Sequence, residues 1–98
     1  MRSSAVVLAA LAVVTLGACS GTRATESDCQ AILDRLVDIE LRERGYLDPA
    51  LSERWHATAR TRFAAELAAC RERRLPEGAL ACVARATTAE EVAHRCLR

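Results

Sequence analysis

The fold of this 98-residue chain is constrained most by four of its five cysteines, Cys29, Cys70, Cys82 and Cys96. A single small domain with only 3% aromatic residues buries too little apolar surface to be comfortably stable by burial alone. Disulfides offset a small core because they restrict the unfolded chain. An even number of cysteines in a small exported domain indicates a disulfide framework, so the evidence for export matters next.

The first 18 residues have the pattern of a secretory signal peptide. Arg2 and the amino terminus supply positive charge, and the stretch from Ala5 to Ala18 contains no charged residue. As a helix this stretch would be about 21 Å long, which is shorter than the roughly 30 Å hydrocarbon core of a membrane. We therefore interpret residues 1–18 as a removable signal peptide and not as a transmembrane helix.

The end of this leader indicates a specialised cleavage. An ordinary signal peptidase selects small residues at positions −3 and −1, and Leu16, at −3 before Cys19, is too large. The residues Leu16-Gly17-Ala18-Cys19 instead resemble the lipobox of bacterial lipoprotein precursors. The resemblance covers residues 1–19. It implies cleavage between Ala18 and Cys19, a diacylglyceryl group on the Cys19 thiol and acylation of the new amino terminus.

An acylated Cys19 would hold the mature chain on a membrane. Each buried methylene contributes about 0.8 kcal/mol, so several acyl chains make the attachment effectively permanent. Ser20 follows the cysteine. Under the sorting rule of such lipoproteins, a residue other than Asp at this position implies the outer membrane, with the domain facing the periplasm or the cell surface. Small polar residues then predict a tether over 19–27 and a folded domain over 28–98.

Apolar residues recur at helical spacing in the rest of the chain, which predicts an all-α fold. We expect two longer helices at about 28–44 and 49–73 and two short ones at about 77–86 and 89–97. Opposite charges four residues apart should stabilise the first helix, as Asp38–Arg42 and Glu40–Arg44. The helix ends follow from a Ser27–Gln30 capping box, Gly45, Asp48-Pro49, Pro76 and a Thr88–Glu91 capping box.

Four cysteines allow three pairings, and the predicted helices favour one of them. If the second and third helices are antiparallel, Cys70 and Cys82 lie at similar distances from the turn at Leu75-Pro76 and within disulfide reach. The last helix then returns Cys96 toward Cys29, so we expect Cys70–Cys82 nested inside Cys29–Cys96. The alternative, Cys29–Cys70 with Cys82–Cys96, stays open, although in each helical hairpin the two cysteines would then differ by several residues in their distance from the turn.

Two E-x-x-H motifs are the sharpest indication of chemistry, Glu53 to His56 and Glu91 to His94. Di-iron carboxylate bundles use such pairs with one glutamate from each of two further helices. The candidates for those glutamates are Glu40 or Glu43 and Glu77. On a helical wheel only one of the two motifs can point inward, and the last two helices are short for such a bundle. A di-iron-like metal site is therefore the alternative hypothesis.

Other residues on the second predicted helix invite a functional and a structural interpretation. Ser52 and His56 stand four residues apart, but the sequence shows neither the orienting acid nor the oxyanion site that catalysis would need. Trp55 lies on the apolar stripe, so we expect it in the core, with an interface anchor as the alternative. The arginines of segment 71–74 would complement the dipole at the end of the helix.

Charge and motif content exclude several function classes. The chain has 14 basic and 13 acidic residues, and loss of the leader removes Arg2 and no acid. Such a balance gives no footprint for nucleic acid, and no glycine-rich phosphate loop or small-molecule site is evident. The sequence therefore predicts a small membrane-anchored lipoprotein without catalytic residues or cofactor. It would serve as a helical interaction or structural module, with a protein partner in the cell envelope.

Overall fold

The computed structural model describes residues 21–98, so the predicted leader, the cleavage site at Ala18 and the anchor at Cys19 lie outside the described residues. The described part is helical and carries two disulfides, which confirms the predicted all-α, disulfide-stapled class. No helix within residues 21–98 is both long and apolar enough to cross a membrane. The helices are α1 (Glu26–Glu43), α2 (Pro49–Arg62), α3 (Ala64–Cys70), α4 (Ala79–Arg85) and α5 (Ala89–Glu91), which continues as a π-helix over Val92–Cys96.

The first helix is capped by Thr25 and not by Ser27, so the predicted Ser27–Gln30 capping box is wrong. The Asp28 N–H donates to the Thr25 hydroxyl at 3.1 Å, and the Thr25 N–H donates to the Asp28 carboxylate at 2.9 Å. This reciprocal pair satisfies two backbone donors at the start of α1. The helix ends as predicted, because Gly45 adopts a φ of 84°, which terminates the helix without the strain of a side chain.

A short antiparallel ladder joins the two ends of the helical hairpin. Strand β1 (Thr22–Arg23) pairs with β2 (Arg74–Leu75), and the next residue, Ala24, is buried. The ladder requires glycine at position 21, because a Cβ there would lie 2.6 Å from the carbonyl oxygen of Leu75. The predicted tether over 19–27 is therefore wrong from Thr22 onward, since these residues belong to the ladder and to the start of α1.

The second predicted helix is divided at Phe63. It begins as predicted at Pro49, where the Ala50 N–H donates to the Asp48 carboxylate at 3.0 Å. At Phe63 the backbone leaves helical geometry, with φ −104° and ψ 30°, and α3 then ends at Cys70 instead of near residue 73.

Two constraints on the helical hairpin account for this division. The contacts of His56 with Asp38 and of Arg60 with Asp34 set the register of α2 against α1. A straight helix in this register would bring residue 65 opposite Cys29, about 7 Å along the axis from Cys70. Because Cys29 is bonded to Cys70, the helix must change course between these positions, and Phe63 lies there.

The disulfides join Cys29 to Cys70 and Cys82 to Cys96, so the nested pairing that the sequence favoured is wrong. That expectation assumed one straight helix over 49–73 and no contact between residues 22–24 and 73–75. The ladder brings the start of α1 beside the end of α3, and this places the Cα atoms of Cys29 and Cys70 6.0 Å apart.

The second disulfide closes the carboxy-terminal helical hairpin. Thr88 caps α5, accepting from the Glu91 N–H at 3.1 Å, but the Glu91 carboxylate accepts from the Thr87 hydroxyl, so only the Thr88 half of the predicted capping box forms. The chain then returns along α4. The wider π-helical turn ends with Cys96 beside Cys82, at a Cα separation of 5.4 Å.

The apolar core lies where α1, α4 and the last helix meet the ladder. Arg35 crosses the margin of this core and donates two hydrogen bonds, of 3.1 and 2.7 Å, to the carbonyl of Ala86. That carbonyl follows the last residue of α4, so α1 caps the carboxyl end of α4. The buried core residues are Ala24, Cys29, Ile32, Ile39, Leu75, Ala79, Val83, Ala86, Val92 and Cys96.

Candidate functional site

The largest group of interacting polar side chains lies between α1 and α2. We call it the polar clamp, and it consists of Asp34, Asp38, Ser52, His56 and Arg60. Asp38 Oδ1 accepts a hydrogen bond from Ser52 Oγ at 2.6 Å and lies 2.7 Å from His56 Nε2. Asp34 accepts two hydrogen bonds from Arg60, at 3.3 and 2.5 Å. Asp38, which the sequence paired with Arg42 on the same helix, thus bonds across to α2.

The clamp is half-buried, which limits its strength. The Asp34 side chain is 21% exposed and the Arg60 side chain 41% exposed, so solvent screens their attraction. The hydrogen bonds that Arg60 donates to the Asp34 carboxylate raise the pKa of Arg60 above its ordinary value, and the guanidinium stays charged at every physiological pH. We expect such a pair to contribute about 1 kcal/mol to the free energy of unfolding.

A serine, a histidine and an aspartate meet in the clamp, but their order differs from that of a nucleophilic triad. In a triad the serine and the acid bind opposite nitrogens of the imidazole. Here Ser52 and Asp38 both approach His56 Nε2, at 3.3 and 2.7 Å. His56 Nδ1 lies 3.9 Å from Asp34, beyond hydrogen-bond distance. The Ser52 proton points to the carboxylate, so the geometry favours a cross-link between helices over an activated nucleophile.

The two E-x-x-H motifs do not converge. In the first, His56 faces Asp38 while Glu53 is exposed. In the second, the Glu91 carboxylate accepts a hydrogen bond from the Thr87 hydroxyl at 3.0 Å, and His94 is exposed. Across residues 21–98 no group of three or more His, Cys, Asp or Glu side chains is placed to hold a metal ion. The di-iron-like alternative therefore has no ligand set in the described part of the chain.

The charge pairs predicted on the first helix divide in the same way. Glu40 and Arg44 form their ion pair at 2.8 Å on the exposed side of α1. Asp38 bonds across the helix interface to Ser52 and His56 and makes no ion pair with Arg42 among the described residues. The Glu40–Arg44 pair thus stabilises α1, as predicted, whereas the Asp38 carboxylate joins α1 to α2.

All three aromatic side chains of the sequence are exposed along the α1–α2 hairpin. Tyr46 is 55% exposed, Trp55 47% and Phe63 40%, and the neighbouring Leu47 is 77% exposed. The expectation that Trp55 lies in the core is wrong. The reason is the composition of the opposing helix, since α1 meets α2 with the carboxylates of the clamp. Ala59 is the one fully buried residue of α2.

A sequence signal for the polar clamp did exist. Asp34 and Asp38 are four residues apart, and so are Ser52, His56 and Arg60, so each set forms one stripe on its helix. Two complementary polar stripes on consecutive helices predict contact between those helices. Interpreting Ser52 and His56 as a local pair, and Asp38 as a partner for Arg42, missed this correspondence.

Comparison with protein-family models, with curated proteins and with solved structures finds no match for the chain.

Proposed function

We propose that the mature chain is a lipid-anchored protein of the cell envelope whose α1–α2 hairpin binds another protein. The lipobox-like residues that end at Cys19 support the anchor. The two disulfides are in keeping with an exported domain, because disulfides are rare in proteins of reducing compartments. The anchor would hold the domain at the membrane, and the exposed surface of the hairpin would bind the partner protein.

The observation that carries the binding proposal is the exposure of every aromatic side chain of the sequence on one hairpin. Aromatic residues and arginine are enriched at protein interfaces, and tryptophan is prominent among the residues that dominate binding energy. A domain this small and poor in aromatic residues would gain stability by burying them. Keeping Trp55 and Phe63 outside the core forgoes that gain, which favours a role for them in contact with a partner.

The turn of the hairpin adds a place for a partner side chain. An open cleft of about 180 Å³ lies beside the exposed Tyr46 and Leu47, with Arg42, Asp48 and Ser52 among its lining residues. Its mixed apolar and charged lining suits a single amphipathic side chain better than a cofactor, since small-molecule sites are larger, about 300–1,000 Å³.

Site-specific photo-crosslinking in cells tests the binding proposal. A photoreactive amino acid replaces Trp55 or Phe63, and in a matched control it replaces Ala84, an exposed residue of α4. We expect one discrete adduct from positions 55 and 63 and none from position 84. The proposal is contradicted if the three positions give the same adducts, or if the adduct has twice the mass of the chain.

Metabolic labelling with a fatty-acid probe tests the anchor separately. The full-length chain should take up the label and Cys19→Ser should not. Ser20→Ala serves as the neighbouring control and should keep the label. Label that survives in Cys19→Ser would mean that the lipobox interpretation is wrong.

A further inference from the structure

Two arginines lie directly opposite each other in the β1–β2 ladder. Arg23 pairs with Arg74 across the two strands, and both side chains are exposed. Like charges at opposed positions destabilise a strand pair. This arrangement therefore costs the fold stability, and an anion bound between the two guanidinium groups would relieve the repulsion.

The chain supplies no such anion. The ion pairs formed within residues 21–98 involve other arginines, and residues 1–20 contain neither Asp nor Glu. Arg74 makes one long hydrogen bond, 3.4 Å from its Nη1 to the Gly21 carbonyl. The preceding turn adds the exposed Arg71 and Arg73 against a single acid, Glu72, so the ladder and this turn together carry a net positive charge.

The acids next along the chain do not reverse this charge. The Asp28 carboxylate accepts the Thr25 N–H and, with Glu26, lies in the first turn of α1, where negative charge complements the helix dipole. Glu77 is exposed on the far side of Pro76 and forms no ion pair among residues 21–98.

This arginine pair is also the folded element nearest to the proposed anchor. Two residues, Ser20 and Gly21, separate Cys19 from Thr22, the first residue of the ladder, and the three residue steps from Cys19 to Thr22 span at most about 11 Å. The polar headgroup layer on each side of a bilayer is about 5–8 Å thick. A chain acylated at Cys19 would therefore hold the ladder at the level of the lipid phosphates.

We infer that Arg23 and Arg74 together bind the phosphate of an anionic lipid headgroup in the membrane that carries the anchor, an inference that rests on the proposed function. Arginine binds phosphate through its planar fork of donors, and two guanidinium groups can share one phosphate. Leu80, 39% exposed beside the ladder, would meet the same interfacial layer. Docking at this end would direct the hairpin turn away from the membrane, because α1 extends about 27 Å from the ladder.

Tryptophan quenching in vesicles tests the orientation. The acylated protein is reconstituted into phosphatidylcholine vesicles containing phosphatidylglycerol and lipids with a quencher near the headgroup. The native Trp55 reports on the hairpin, and the variant Leu80→Trp with Trp55→Phe reports on the ladder end. We expect strong quenching at position 80 and little at position 55. Equal quenching at the two positions, or none at position 80, would overturn the inference.

The arginine pair is then tested in the Leu80→Trp, Trp55→Phe background. Arg23→Gln with Arg74→Gln should lower the ratio of docked to undocked protein about 30-fold, judged from the quenching. The control Arg54→Gln with Arg95→Gln changes two exposed arginines elsewhere and should leave the quenching unchanged. The inference is overturned if both double variants lose quenching equally, or if neither does.

Two further readouts separate the causes of failure. The intact mass shows whether Cys19 carries acyl groups, and a mass without them overturns the proposed anchor and this inference together. Acylated protein that does not dock overturns the inference alone. Calorimetric titration of the detergent-solubilised protein with inorganic phosphate, compared with sodium chloride of matched ionic strength, distinguishes the source of the ligand. Absence of saturable binding supports the lipid site, and saturable binding that is abolished by Arg23→Gln with Arg74→Gln would show a site for the free ion instead.

Discussion

The end of the molecule that holds the ladder and the end that holds the hairpin turn are stabilised by different means. At the ladder end, aliphatic side chains from α1, α4 and the last helix are buried together, and two disulfides bridge the surrounding helices. At the hairpin, α2 meets α1 through half-buried carboxylates, a histidine and an arginine, and the aromatic side chains are exposed. Apolar burial and disulfides therefore stabilise the ladder end, whereas the aromatic side chains of the hairpin stay exposed to solvent.

This division explains how a small domain with little apolar bulk leaves its aromatic side chains exposed. The disulfides contribute to stability without large side chains, so the few aromatic residues are not needed in the core. The polar clamp holds α2 in register with α1 at a cost in packing. Four sets of substitutions test this comparison, and the stability losses we expect decrease from the ladder end to the hairpin.

Removal of a disulfide should have the largest effect. Loss of Cys29–Cys70, as a pair of alanine substitutions, should lower the free energy of unfolding by about 4 kcal/mol, because its loop of 41 residues is long. Loss of Cys82–Cys96, whose loop spans 14 residues, should cost about 3 kcal/mol. Urea unfolding followed by circular dichroism measures both. A larger loss for Cys82–Cys96 would contradict the expectation that Cys29–Cys70, which closes the longer loop, is the stronger restraint.

Truncation of a core side chain should come next. Ile32→Ala leaves a cavity among the buried residues and should cost about 3 kcal/mol. Phe63→Ala removes a larger side chain that is 40% exposed, and we expect a loss of about 1 kcal/mol. Thermal and urea unfolding of the two variants gives the comparison. If Phe63→Ala destabilises as much as Ile32→Ala, the hairpin has an apolar core of its own and the contrast fails.

The polar clamp should contribute less than the core. Asp34→Asn and Arg60→Gln, measured singly and together, should give a coupling energy of about 1 kcal/mol that falls with added salt. The matched pair is Glu40 with Arg44, an exposed ion pair within α1, for which we expect about 0.3–0.5 kcal/mol. A clamp coupling no larger than that of the matched pair would mean that the clamp does not set the register of α2.

Trp55→Ala should act mainly on binding and little on stability. Because the side chain is 47% exposed, similar to Phe63, we expect a loss of no more than about 1 kcal/mol in the free energy of unfolding. Affinity for the partner found by crosslinking should fall at least about tenfold. Calorimetric titration and urea unfolding of the same preparation separate the two effects. A large loss of stability with unchanged affinity would mean that Trp55 stabilises the fold and does not bind the partner.

The helix ends were predictable because their signals are local. Gly45, Asp48-Pro49 and the Thr88 cap stand where the sequence indicates, since each requires only a few neighbouring residues. The start of α1 was displaced because Thr25 and Ser27 both precede a suitable partner, and tertiary pairing of residues 22–24 decides between them.

The disulfide pairing was not predictable because it depends on distant contacts. A ladder of two residues per strand carries no alternating pattern, and the break at Phe63 involves neither glycine nor proline. The break follows from satisfying the polar clamp and the Cys29–Cys70 bond at once, and the ladder joins residues about 50 positions apart in the chain. The exposure of Trp55 was not predicted for a related reason. An apolar stripe predicts a buried face and does not reveal that the opposing helix carries carboxylates.

We propose that an acylated, doubly bridged domain is held at a membrane by Cys19. The most direct test is the intact mass of the native protein extracted from membranes, alkylated before and after reduction, with the bridged peptides identified. We expect the mass of residues 19–98 plus acyl groups, no alkylation until reduction, and peptides linking Cys29 to Cys70 and Cys82 to Cys96. An unacylated chain, free thiols before reduction or a peptide linking Cys70 to Cys82 would contradict the account.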